Sequence, residues 1–286
     1  MFTLSPSGLL QSGKIDTLKY SSLDPTFISR YLLQAAILEA YQNHEYADKK
    51  LKVLDVGGAG SIIGDFIDVD LSVIDVLPNT TKLPNYTQGD ALVMPYADNS
   101  FDAVISCDVI EHIPKQDRAA FLKESARVTK DLMIVAAPFD LKGVREAEIS
   151  ANDYYRAMTG EDHRWLLEHL QDELPNIKQA ALDLEKAGLN TAHFSHTALN
   201  NWQLVTRAGF LLAHQDQHEK FAEVIRELNK YYLDNIMAGD FSTTGYRSFL
   251  VASKKHEVDI KPEPDVLDPK LTRIFSLLTE SILYLL

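Results

Sequence analysis

The chain has 286 residues, 45% of them hydrophobic, enough for one large domain with a filled core or two smaller ones. Its 28 basic and 41 acidic side chains give a formal net charge of −13, which repels a phosphate backbone, and no basic patch offsets it; no nucleic-acid partner is expected. One cysteine forms no internal disulfide, and neither a basic leader followed by a long apolar run nor an uncharged spanning segment occurs, so a cytoplasmic protein without a membrane span is expected.

Asp24-Pro25 followed by Ile28, Tyr31, Leu32, Ala35, Ile37 and Leu38 predicts a capped helix ending near the polar stretch from Gln42 to Lys50. Four short apolar runs then read as buried strands: Leu51 to Val56, Leu71 to Val76, Phe101 to Cys107 and Leu132 to Ala137. Between the last two, Ala119, Phe121, Leu122, Ala126 and Val128 fall at the spacing of a crossover helix. This alternation predicts an α/β fold, a three-layer sandwich with a mainly parallel central sheet. Only about fourteen residues separate the first two strands and fewer follow the second, so their crossovers are expected to be stubs.

After Pro138 the pattern turns to polar helical segments, Glu161 to Leu170 and Pro175 to Lys186, within a helical insertion at about 141–188. A strand at Ala192 to Ser195, a second helical insertion at about 198–240 with a long helix from Phe221 to Met237, and a last strand at Tyr246 to Ser253 complete the domain. The expected organisation is an N-terminal helical segment (1–50), the main domain (51–256), and a linker with a C-terminal amphipathic helix (257–286). Leu271, Ile274, Phe275, Leu278, Ile282 and Leu285 give that helix an apolar face that would pack on the domain or form a homodimer element.

The chemistry concentrates between Val53 and Pro138. The strand ending Val53-Leu-Asp-Val-Gly-Gly-Ala-Gly60 brings small residues where backbone passes close to a ligand, with Asp55 just before them. Asp75, fifteen residues beyond Gly60 at the end of the next strand, is placed to accept hydrogen bonds from ribose hydroxyls. Fifteen further, Asp90 could accept from an adenine amine, with Leu92, Val93 or Met94 over the ring.

Taken in order, these segments resemble a class I S-adenosylmethionine-dependent methyltransferase with a D-x-G-x-G-like first motif and Glu-His-Ile after the fourth strand. The resemblance covers about residues 51–138. It implies a Rossmann-like fold and S-adenosyl-L-methionine as cofactor, with Asp55, Gly57, Gly58 and Gly60 around its methionine moiety, Asp75 on the ribose, Asp90 and Ala91 at the adenine, and Asp108 facing the amino-acid end. Ala59 and Ser61 stand where alternate glycines would fall, so the loop departs from the usual pattern. His112 is the first candidate for a general base, its plainer role being to cap the turn with Glu111. The helical insertion should cover the strand tips, which makes Tyr154, Tyr155, His163 and Trp165 candidates for the acceptor site, with His169 in the same segment. The run from His163 to Pro175 resembles a lid of bacterial methyltransferases associated with glycan modification, so a small-molecule or glycan acceptor is expected.

Two other readings compete. Gly58-x-Gly60-x-x-x-Gly64 with Asp75 could serve an NAD(P)-dependent oxidoreductase, although Asp55 stands where a dinucleotide strand is usually apolar. A methyltransferase-like binder without catalysis is the third class. His214 with His218 and His193 with His196 invite a metal, but neither pair has a clear third ligand, so no metal is assigned; Cys107 reads as a small core residue.

Overall fold

In the computed structural model, which describes residues 1–5, 10, 16–46, 49–213, 219–261 and 273, the apolar runs join one seven-stranded sheet. Its strands are β2 (Lys52–Val56), β3 (Asp70–Asp75), β4 (Tyr86–Gln88), β5 (Phe101–Cys107), β6 (Thr129–Pro138), β7 (Asn190–Ala198) and β8 (Gly245–Ser253), in the order β4-β3-β2-β5-β6-β8-β7. Pairing is parallel from β4 to β6, and β8 runs antiparallel between β6 and β7. The order reverses between β2 and β5, which opens a crevice beyond their carboxyl ends.

The pleat sorts side chains onto two faces. Val53, Ala103, Ile105, Leu132 and Ile134 pack beneath α2 (Pro25–Glu45) in one core, while Leu54, Val104, Met133 and Val135 join Phe121 of α3 (Arg118–Val128) and Leu184 of α6 (Ile177–Lys186) in the other. Asp55 shares the α2-facing side with Val53. Helix α2 begins as its sequence predicts: Asp24 Oδ1 accepts from the Thr26 amide at 2.7 Å and Pro25 occupies the first turn. It is buried on almost every side, so it packs as part of the sheet's core.

The stub crossovers are observed: between β2 and β3 there is only the 3₁₀ turn Ile63–Asp65, and no helix joins β3 to β4 or β4 to β5. The first insertion holds a helix beyond those expected, α4 (Val144–Thr159), followed by α5 (Arg164–Gln171). The second holds α7 (Leu199–Ala213) and α8 (Glu219–Asn235). Val144, Ala147 and Ala151 of α4, Leu166 of α5 and Trp202 and Phe210 of α7 form a third apolar cluster that knits the insertions into one cap. Trp202 stacks on Tyr246 of β8, ring centroids 3.8 Å apart, and anchors the cap to the sheet.

The chain ends are tied differently from expectation. β1 (Phe2–Leu4) pairs in parallel with β9 (Val258–Ile260), so residues just past 256 form a strand before any linker begins. A short helix, α1 (Thr17–Tyr20), precedes α2. The helix expected within 262–286 and the His214–His218 pair lie outside the described residues, apart from Arg273. No helix among the described residues is long and apolar enough to cross a membrane.

Candidate active site

Glycines 57 and 58 begin the site. Gly57 has φ +79°, and a Cβ there would stand 2.2 Å from Val109 Cγ2; a Cβ on Gly58 would stand 2.5 Å from Asp55 Cγ. The strand therefore turns directly beneath Val109 while covering Asp55, which only glycine permits at either position. Around Gly60 the same construction meets open space, so its lack of a side chain is not required by the surrounding protein.

Asp55 is buried and its Oδ2 has no hydrogen-bond partner. Burial pushes its carboxyl up to about 6, offset in part by the Ser61 hydroxyl and the Arg30 guanidinium, with Asp75 adding to the rise. Asp75, half-buried at the tip of β3, accepts from the Ala59 amide at 3.0 Å and the Leu77 amide at 2.9 Å, which holds the glycine loop against β3. Asp90 lies two residues beyond β4 and accepts from the Leu92 amide at 2.8 Å; Ala91 is half-buried beside it. Each carboxylate has acceptor capacity left. Val76, Leu77 and Val93 expose apolar surface at these tips, Val93 at 77%.

Asp108, with φ +53°, closes β5. Arg247 of β8 grips it with Nε at 2.8 Å and Nη2 at 2.6 Å, and Arg30 of α2 donates to it from Nη1. Burial opposes its charge, but the two arginines outweigh it and hold the carboxyl well below the usual range. Arg30 and Arg247 were not among the sequence candidates. Arg30 was discernible as a lone charge in an otherwise apolar stretch of α2, and its Nε is buried without a partner.

The turn Ile110–His112 follows, its carbonyls held by Arg118, whose Nε donates to Ile113 O at 2.9 Å and Nη2 to Glu111 O at 3.3 Å. Glu111 is 3% exposed with neither carboxylate oxygen partnered; burial, reinforced by Asp108, pushes it up to about 8. Burial and the neighbouring His169 lower the pKa of His112, whose Nδ1 lies 3.2 Å from Glu168 Oε2. Its ring meets Trp165 edge-on at 5.1 Å and His169 at 4.9 Å. His169 Nδ1 lies 2.8 Å from Glu148 Oε1, which also accepts from the Tyr246 hydroxyl at 3.0 Å. Burial disfavours the charged His169, yet the bond to Glu148 and the charges of Glu111 and Asp108 raise its pKa. One ligand atom each from Glu111, His112 and His169 lie within 4.8 Å of one another.

Of the residues expected at the acceptor site, Trp165 reaches His112. Tyr155 and His163 pack on each other and on Phe210 at 4.8–5.0 Å within the cap, and Tyr154 lies under the Arg207 guanidinium at 5.3 Å. His196 points both ring nitrogens at protein oxygens, Thr197 Oγ1 at 3.0 Å and Met237 O at 2.8 Å. Cys107 is buried, and burial raises its thiol well above the ordinary value.

The sheet order and the crevice give a Rossmann-like α/β fold with acidic side chains at or just beyond its strand tips. Residues 60–135 match the family described as methyltransferase domain. Ajmaline N-methyltransferase from Rauvolfia serpentina is 33% identical over 97 residues, 28% of this chain and 33% of that protein. Demethylmenaquinone methyltransferase from Bacillus velezensis is 27% identical over 154 residues, 48% of this chain and 64% of that protein. The chain thus spans less than two thirds of either relative's length. Among solved structures, magnesium protoporphyrin IX methyltransferase from Synechocystis with bound S-adenosylhomocysteine is 11% identical with a TM-score of 0.46, covering 87% of this chain and 92% of that one.

Proposed function

We propose that this chain transfers a methyl group from S-adenosylmethionine to a small-molecule or glycan-type acceptor. The observation that carries the reading is the row of carboxylates at or just beyond the carboxyl ends of four neighbouring parallel strands: Asp55, Asp75, Asp90 and Asp108 on β2, β3, β4 and β5. The residues suit this cofactor. Asp55 and Arg30 each bury a polar atom without a partner beside the glycine turn, as a group carrying both an ammonium and a carboxylate would require. Asp75 keeps capacity for two ribose hydroxyls, and Val76, Leu77 and Val93 offer the apolar surface that a planar base would cover.

When bound, S-adenosylmethionine would supply a sulfonium methyl group whose carbon an acceptor's lone pair attacks in line, with the thioether of S-adenosylhomocysteine as the leaving group. The strand-tip residues hold the donor, and the cap of α4, α5 and α7 covers the crevice and excludes water. The imidazole of His112, at the edge of that cap, can take a proton from a hydroxyl acceptor or give its lone pair to a cation.

Methyl-labelled S-adenosylmethionine incubated with the purified chain and fractionated pools of small metabolites and glycans tests the reading. Label should leave the cofactor and appear in one pool only. Cofactor binding without transfer to any pool would identify a silent binder, and reduction or oxidation of a nicotinamide would identify an oxidoreductase; either result overturns the proposal.

A further inference from the structure

We propose that Glu111, His112 and His169 form a binding site for a divalent first-row transition-metal ion between the tip of β5 and helix α5. Two imidazoles and one carboxylate are the donor set that such ions favour over magnesium or calcium, which prefer oxygen alone. Each offers an atom within 4.8 Å of the other two. Ligands about 2.1 Å from a tetrahedral ion stand about 3.4 Å apart, so the side chains need to close by about an ångström.

The unmet groups point the same way. Glu111 buries both carboxylate oxygens and His169 buries Nε2, all without a hydrogen-bond partner. Orphaned polar atoms are expensive, and three of them converging from a strand tip and a lid helix mark a place built for a binding partner. Both rings are also set as metal ligands usually are, with the other nitrogen against a carboxylate: His169 Nδ1 on Glu148 and His112 Nδ1 near Glu168. His169 Nε2, buried and unpartnered, remains free to face the ion. Two further carboxylates beside the cluster, Glu148 and Glu168, favour a cation, while Arg247 and Arg30 consume the charge of Asp108.

A second grouping, His44, Glu45 and His256, has a single orphaned atom, His256 Nε2, and is more exposed. His256 already lies 2.8 Å from Glu45, Lys255 is close by, and His44 is exposed. The ion's use rests on the methyltransferase reading. At this position it would coordinate an acceptor oxygen, favouring its deprotonated form and selecting acceptors with two adjacent oxygen donors. His112 would then be a ligand, and the acceptor's proton would leave to solvent.

The test is a titration of chelator-stripped full-length protein with cobalt(II) chloride, followed by visible absorption and calorimetry without cofactor. One ion per chain should bind, with the absorption of a histidine-ligated site. Glu111→Gln and His169→Ala should each abolish that signal, Glu148→Gln should weaken affinity about tenfold while shifting the spectrum, and His44→Ala should leave both unchanged. If His169→Ala does not fold, Glu111→Gln, of equal size, decides the matter. No bound cobalt, binding untouched in Glu111→Gln, or binding lost in His44→Ala would overturn the proposal. Because cobalt is titrated alone, a parallel titration with S-adenosylhomocysteine shows separately whether the cofactor reading stands.

Discussion

At the scale of single residues the site holds charge where the protein alone gains nothing from it. Asp55 is the clearest case: its carboxyl ionises near pH 4 in the unfolded chain and at about 6 in the folded one. Below pH 4 neither state is charged and burial costs nothing. As pH rises from about 4 to 6 the unfolded chain releases its proton first, so stability falls, by about 3 kcal/mol in total for a shift of this size. Asp55→Asn should therefore raise the melting temperature of the cofactor-free protein at pH 7, with the gain shrinking towards zero at pH 4. A melting series across that range checks this; equal destabilisation at both pH values would show that Asp55 serves the fold. Gly57→Ala should destabilise through both its left-handed backbone and the collision with Val109. Adding Val109→Ala should recover only the steric part, leaving about 1–2 kcal/mol, as measured by denaturant midpoints.

At the scale of elements, helices brought from outside the strand-tip motifs complete the site. Helix α2 carries Arg30 to Asp108, and Arg247 Nη1 approaches the Thr26 carbonyl at 3.5 Å, joining α2 to β8. Arg30→Met should leave the fold in place, since Asp108 keeps Arg247, while weakening S-adenosylhomocysteine by about 2 kcal/mol through the loss of a charged donor. Equal affinity in the variant would remove Arg30 from the binding site. The cap depends on the Trp202–Tyr246 stack. Trp202→Ala should cost about 3–5 kcal/mol in chemical denaturation, because the ring is buried and its neighbours come from rigid elements. A loss below about 1 kcal/mol would mean that the cap is held elsewhere.

For the whole molecule, β2, β5 and β6 were legible because they are buried on both faces and read as continuous apolar runs, as in Val104-Ile105 and Ile134-Val135, whereas β4, three partly exposed residues, was not read. The stub crossovers followed from loop length alone. Helix α4 was harder to see: Val144, Ala147 and Ala151 are small and sit among Arg145, Glu146, Glu148 and Asp153. Its Glu148 is buried, which no local pattern announces. The pairing of β1 with β9 joins segments more than 250 residues apart and leaves no short-range signal. The positions of Asp55 and Asp75 near the ends of β2 and β3 were legible because each closes an apolar run, whereas the short strand before Asp90 was not. The partnership of Glu111 and His112 with His169, and the grip of Arg30 and Arg247 on Asp108, exist only once distant elements are packed together.

The central question is whether the row of strand-tip carboxylates binds an adenosyl cofactor. Calorimetric titration of the purified chain with S-adenosylhomocysteine, repeated on Asp75→Ala and compared with NAD(P)H, asks this directly. One-site binding of S-adenosylhomocysteine is expected, weaker by about 3 kcal/mol in the variant, because a carboxylate placed to accept two hydroxyls is removed. Binding of the nicotinamide cofactor alone, no binding of the adenosyl ligand, or equal affinity in Asp75→Ala would contradict that expectation.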